Sequence, residues 1–184
     1  IAAHIERFYD ERQRRYVGLQ DHHQLFIRNE ILLSRCSYDY FTRYIRILLD
    51  DETGEEGPLQ LWSAQRRLIQ RVGDVELRLH RERDEGRKRL DGNCWFVHKR
   101  RQTGASTVCQ SMGLHREVLW SNMNGLMAGV DEPSTLTKLY NKYFYFMLER
   151  LPRWMQIRRV SDSNQGVEFA NGSSVILQNS TGAN

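Results

Sequence analysis

Cys94-Trp95-Phe96-Val97-His98-Lys99-Arg100-Arg101-Gln102-Thr103-Gly104-Ala105-Ser106-Thr107 is the stretch that decides the fold. A short apolar run enters a basic, Gly-containing turn, which opens into Val108-Cys109-Gln110-Ser111-Met112, a segment able to form a helix. Strand, turn and helix N-terminus is a geometry that holds phosphate, because loop amides point inward and the helix dipole adds positive potential. The general phosphate-loop pattern wants a Gly, four residues, then Gly-Lys-Ser/Thr. Lys99 stands where the first Gly belongs and Ala105 where the Lys belongs. A nucleotide here would take its cation from the start of the turn, from Lys99, Arg100 or Arg101, and its magnesium hydroxyl from Ser106 or Thr107. The plainer alternative is a basic surface turn between a core strand and a helix.

The 184 residues are enough for one cored domain with a small appendage. Hydrophobic residues make up 40% and charged residues 27%, which places the chain among globular proteins. No apolar run has the length of a membrane span. The start, Ile1-Ala2-Ala3-His4-Ile5-Glu6-Arg7, turns charged at once and reads as no secretory signal; without an initiator Met, residues are expected before it. A net charge of +4 permits a nucleic-acid partner without demanding one. Cys36, Cys94 and Cys109 have no metal-ligand spacing and read as small buried thiols in a reducing compartment.

Residues 2–16 read as a charged helix. His22-His23 lacks a third ligand nearby and reads as a solvated pair. Leu25 to Leu33 is expected to be helical, with Phe26, Ile27, Ile31 and Leu32 as its apolar face. A second helix is expected from Ser37 or Asp39, striped by Phe41, Tyr44, Ile45, Leu48 and Leu49. The acidic run Asp50 to Gly57 reads as a linker ended by Pro58. From the stretch Leu59 to Ile69 onward, Leu61, Gln65, Leu68, Ile69 and Val72 share a helical side. An ordinary amphipathic helix here would put Trp62 in the core and Gln65 on the surface. Val75 to Leu90 is ambiguous between strand and helix, with Arg78/Glu82 and Arg81/Glu85 spaced for helical ion pairs; its basic run reads as a solvated face.

Cys94 to Val97 reads as a first core strand and Gly125 to Val130 as a second buried one. The loop helix between them should end near Glu117 or Trp120. A helix capped by Asp131 or Ser134 follows, with Leu136, Leu139, Tyr140, Tyr143, Phe144, Met147, Leu148 and Leu151 in helical period, stopped by Pro152. Val167 to Leu177 is a hairpin about Asn171-Gly172.

Lys99-Arg100-Arg101-Gln102-Thr103-Gly104-Ala105-Ser106-Thr107 resembles the deviant Walker A loop of phage terminase large subunits, the ATPases that pump DNA into procapsids. Many of those lack the Lys before the Ser/Thr and carry a basic residue at the loop's start. The resemblance extends in order over residues 37–184: the Tyr-Phe helix, Leu59-x-Leu61-Trp62-x-x-Gln65, the loop, the strand-helix-Leu-Pro unit and Glu168-Phe169-x-Asn171-Gly172-Ser173. It implies that Gln65 reads adenine, with Trp62 or Arg66 packed nearby. Gln102, Thr103, Gly104, Ala105, Ser106 and Thr107 would bind nucleotide, with the amides of Thr103 to Ser106 around the phosphates. Lys99 or Arg101 would neutralise the terminal phosphate, and Ser106, or failing that Thr107, would hold Mg2+.

The fold the resemblance implies is α/β: a P-loop NTPase core of the RecA/ASCE type, in three layers, with a parallel sheet flanked by helices behind an N-terminal helical segment. We expect residues 1–57 to be that segment with its acidic linker, and 58–184 to be the front of the ATPase domain. Asp131-Glu132 is not taken as the acidic pair of a Walker B strand, since Pro133 follows; that pair and the nuclease domain are expected beyond residue 184. The implied activity is ATP-driven translocation of double-stranded DNA, with ATP and Mg2+ as cofactors and hydrolysis poor or absent in these residues alone. Implied partners are DNA, the portal protein, the small terminase subunit and further copies in a ring, with no membrane, in the host cytoplasm. Alternatives are a helicase-like P-loop ATPase, and a non-catalytic α/β domain that binds DNA or capsid proteins.

Overall fold

A computed structural model describes residues 2–13, 15–50, 52–84, 104–129, 133–163 and 165–179. The described chain is mixed α/β and divides into two compact units, one of residues 1–59 with 109–184 and one of residues 60–108.

The first unit carries a four-stranded sheet. Strand β5 (Asn124–Gly129) runs parallel to β8 (Ser174–Asn179), β8 pairs antiparallel with β7 (Gly166–Phe169), and β7 with β6 (Arg159–Ser163). The described sheet is therefore small and mixed, in the order β5-β8-β7-β6, with one parallel pair. Period-two alternation buries Val167, Phe169 and Val175 while Glu168 faces out. In β5 the same alternation leaves Leu126 61% exposed, so this strand is not buried on both faces as its apolar run suggested.

The hairpin between β7 and β8 forms where Asn171-Gly172 places it, and its turn does more than reverse the chain. Helix α5 (Ala105–Leu119) ends in carbonyls that no further turn can satisfy. The Asn171 side-chain amide donates to the carbonyls of Glu117 (2.8 Å) and Trp120 (2.7 Å), and Ser173 Oγ donates to Trp120 O at 3.1 Å. Gly172 has φ +81°, and a Cβ there would lie 2.3 Å from Asn122 Oδ1, so glycine is required twice over.

Pro133 occupies the first position of α6 (Pro133–Tyr140), where its missing N–H costs nothing. A π-helical turn, Asn141–Tyr145, leads into α7 (Phe146–Arg150), and Pro152 follows the helix end. Tyr140, Phe144, Met147, Leu148 and Leu151 are buried, so the expected stripe is largely present; Leu139 lies outside it. Helix α6 packs against β5 and β8.

Two expected helices are replaced by tighter structure. Over residues 2–16 the chain forms α1 (Ala2–Ile5), a 3-10 turn at Glu6–Phe8, and a short antiparallel pair, β1 (Tyr9–Asp10) with β2 (Arg15–Tyr16). Asp10 Oδ1 accepts from the amides of Arg12 (2.8 Å) and Gln13 (3.1 Å), and this local turn outcompetes the helix. Helix α2 (Asp21–Cys36) forms as expected and runs further than Leu33. Its Leu32, expected on the apolar face, is exposed.

Ser37 does cap α3 (Tyr38–Phe41), accepting from Tyr40 N at 3.2 Å. That helix stops after one turn, passes through a 3-10 turn at Thr42–Tyr44, and becomes β3 (Arg46–Leu48). The acidic stretch is the reason. It is a hairpin rather than a linker, returning as β4 (Glu56–Pro58) with Leu48 opposite Glu56. Asp50 Oδ1 accepts from Glu52 N, and Gly54 supplies φ +70° for the reversal. Phe41 and Ile45 are buried, and Tyr40 and Tyr44 donate their hydroxyls to Glu30 of α2. His115 of α5 lies 2.8 Å from Ser34 O of α2.

In the second unit, α4 (Ser63–Asp84) resolves the ambiguous stretch as helix through Asp84. Leu61, Gln65, Leu68, Ile69 and Val72 are shielded while Ser63, Ala64, Arg66, Arg67, Gln70 and Arg71 are exposed, the one-sided pattern read from the sequence. Gly104, Ala105 and Val108, at the entry to α5, belong to this unit. The expected strand at Cys94 to Val97 and the pair Asp131-Glu132 lie outside the described residues. So does Cys94; Cys36 and Cys109 are exposed rather than buried, since each falls off its helix's buried stripe.

Candidate functional site

Gly104 is the pivot of the candidate site. Its φ of +66° lies in the left-handed region that side chains avoid, and its carbonyl accepts the first helical bond of α5, from Val108 N at 3.1 Å. The first turn of α5 contains no acidic residue, and its leading amides have no acceptor within the helix. Ala105 and Val108 turn into the interior, which leaves Ser106 and Thr107 half-buried on the same first turn. A left-handed glycine, leading amides and two half-buried hydroxyls stand together at this helix start.

Gln65 comes to this point from α4. It is only 8% exposed, on the helical side it shares with Leu61 and Leu68, whereas Trp62 is 59% exposed, so the alternative of Trp62 in the core and Gln65 on the surface is not met. Gln65 is the third residue of α4, and its Oε1 accepts from the backbone N–H of Trp62 at 2.9 Å, as in a capping box. Its Nε2 lies 2.7 Å from where a Cβ on Gly104 would stand. The structure thus brings together two motifs 39 residues apart in the chain, numbered 65 and 104. Arg66, named with Trp62 as a neighbour of the base, is exposed.

Of the remaining predicted residues, Lys99, Arg101, Gln102 and Thr103 lie outside the described residues. Among the described residues no group of three His, Cys, Asp or Glu side chains is placed to hold a metal ion. Ser106 and Thr107 are the hydroxyl donors at this helix start, and magnesium bound to nucleotide needs little from protein carboxylates. No helix among the described residues is long and apolar enough to cross a membrane.

Sequence reading noted Glu117 only as a helix end. It is 4% exposed in the first unit, and its Oε2 has no hydrogen-bond partner. Burial raises its pKa to about 8, against a smaller lowering by the charge of Arg116. A Cβ on Gly125 of β5 would lie 2.1 Å from Glu117 Oε1, so glycine makes room for the carboxyl. Tyr140, also buried with an unpartnered hydroxyl, is held above the usual phenol range, chiefly by burial, with the Glu117 charge among the smaller contributions. The one signal in the sequence was a Glu interrupting the buried stripe Ser111, Leu114 and Val118.

In comparisons with known proteins, no protein-family model matches the chain, and no curated protein matches it.

Proposed function

We propose that this chain is the ATP-binding part of a viral genome-packaging motor, a terminase large subunit with a P-loop core of the RecA/ASCE type. In the full-length protein it couples ATP hydrolysis to movement of double-stranded DNA into a procapsid. The observation that carries the reading is the meeting of Gln65 with Gly104, because adenine and phosphate recognition must share one pocket.

In this reading the backbone does most of the work. The left-handed Gly104 turns the chain so that the leading amides of α5 face the phosphates. Ser106, or Thr107 beside it, offers the hydroxyl to magnesium, which when bound draws charge from the phosphate oxygens. Ala105 has no amine to reach the terminal phosphate, so Lys99 or Arg101 supplies that cation from the start of the loop. Gln65 presents one amide donor and one acceptor, the pairing that the N6 and N7 edge of adenine requires. Its present bond to Trp62 N must then be exchanged for the base, which links nucleotide binding to the start of α4. Contacts with DNA are to phosphates, blind to sequence and sensitive to salt. Portal protein, small terminase subunit and neighbouring copies in a ring are the partners in the host cytoplasm.

The test is a titration of the full chain with Mg2+-ATP and Mg2+-GTP, comparing wild type with Gln65→Ala. The reading expects ATP to be preferred and that preference to fall about ten-fold in the variant, the scale of one lost hydrogen-bonded pair. Equal binding of both nucleotides by wild type would remove the role of Gln65, and no binding of either would remove the function.

A further inference from the structure

Three histidines meet near the first residues of the chain. His4 of α1 lies 5.5 Å from His23 of α2 between ring centroids, and His22 lies 4.0 Å from His23. Phe8 closes the group, 5.4 Å from His4 and 5.0 Å from His23. His22-His23, expected as a solvated pair without a third member, gains one in the fold from 18 residues before His22, at position 4, and His23 is buried. His23 is 5% exposed, and its Nδ1 is buried without a hydrogen-bond partner. A pocket of about 530 Å3 lined by His4, His22, His23 and Phe26 opens beside the rings, so protons reach them.

We propose that His4, His22 and His23 form an acid-sensitive latch: the neutral cluster holds the Ala2–Phe8 segment on α2, and protonation of the cluster releases it. Three neutral imidazoles and a phenyl ring pack as apolar surface. A proton added to His23 creates a buried cation packed between two further imidazole rings. Burial, then the charges of His22 and His4, already hold His23 below the usual imidazole range, and no carboxylate contributes to that balance. The other charged groups on the facing turns are Glu6 and Arg7 after α1 and Asp21 on α2. Glu6 is committed elsewhere, its Oε1 accepting from Tyr16 OH at 3.0 Å and Arg153 N at 3.1 Å. Charge on His22 and His23 also sits in the first turn of α2, where the helix dipole opposes it.

Release is confined to Ala2–Phe8, and the Glu6 bonds to Tyr16 and Arg153 open with it. Beyond it, Arg153 lies over the Tyr9 ring at 4.5 Å and pairs with Glu11 at 2.5 Å, contacts that involve no histidine.

Hydrogen exchange on the whole chain at about pH 5 and pH 7.5, corrected for intrinsic rates, tests the latch. Amides of Ala3 to Phe8 are expected to exchange at least about ten-fold faster in acid, with those of Tyr9 to Tyr16 unchanged. His23→Phe, which keeps a ring but cannot charge, abolishes the difference. Acid-independent exchange in wild type, or a difference that survives in His23→Phe, overturns the proposal. If His23→Phe fails to fold, a proton NMR titration of wild type decides. Release of Phe8 ring contacts in step with His23 protonation supports the latch, and His23 protonation with those contacts intact refutes it.

Discussion

Burying Glu117 makes a quantitative demand on how stability varies with pH. Its carboxyl is protonated in the folded protein up to about pH 8, while in the unfolded chain it ionises near the ordinary value of 4.5. The folded state therefore binds a proton more tightly than the unfolded state. The stabilisation this gives is complete below pH 4.5 and is progressively lost as pH rises through 8. Each unit of pKa difference corresponds to about 1.4 kcal/mol, so between about pH 5 and pH 8.5 the loss is about 4 kcal/mol. Glu117→Gln keeps the shape and removes the titration. Urea unfolding of wild type and Glu117→Gln at several pH values isolates the effect, because every other titrating group cancels in the difference. The two proteins should be of similar stability at pH 5, and wild type should be the weaker by about 4 kcal/mol at pH 8.5. Parallel pH profiles would refute the reasoning and imply that Glu117 is solvated or paired.

Three further outcomes follow from the same geometry. Gly125→Ala places a methyl 2.1 Å from Glu117 Oε1 and should cost about 1–3 kcal/mol by urea unfolding, with part of that loss relieved in the Gly125→Ala, Glu117→Ala double variant. Asn171→Ala leaves the carbonyls of Glu117 and Trp120 short of a donor and should cost about 1–3 kcal/mol, read as a fall in thermal midpoint. Gly104→Ala forces a side chain into φ +66° and against Gln65 Nε2. It should cost about 1–2 kcal/mol in unfolding measurements and weaken binding of a fluorescent ATP analogue.

What the sequence disclosed and what it hid divide along physical lines. The Asn171-Gly172 hairpin, the start of α5 after Gly104 and the stop before Pro152 were legible because glycine and proline act on the backbone locally. The shielded side of α4 was legible because helical period alone places Leu61, Gln65 and Leu68 together. Residues 2–16 and 39–49 misled because Asp10 and Asp50 each bind nearby amides, and such short-range competition leaves an apolar stripe unchanged. Hidden altogether were contacts that only tertiary structure makes. His4 against His23, Glu117 under Gly125 and Gln65 against Gly104 join elements whose spacing in the chain carries no periodic signal. The last of these could be anticipated through resemblance, as a motif pair, but not as a contact.

In the proposed function a loop binds triphosphate with its cation drawn from Lys99 or Arg101. Its most direct test is calorimetric titration of Mg2+-ATP into the full chain and into its Lys99→Ala and Arg101→Ala variants. Saturable binding by wild type is expected, with a loss of about ten-fold or more in at least one variant, the scale of one charge-assisted contact to phosphate. Wild-type affinity in both variants, or no binding by the parent chain, would contradict it.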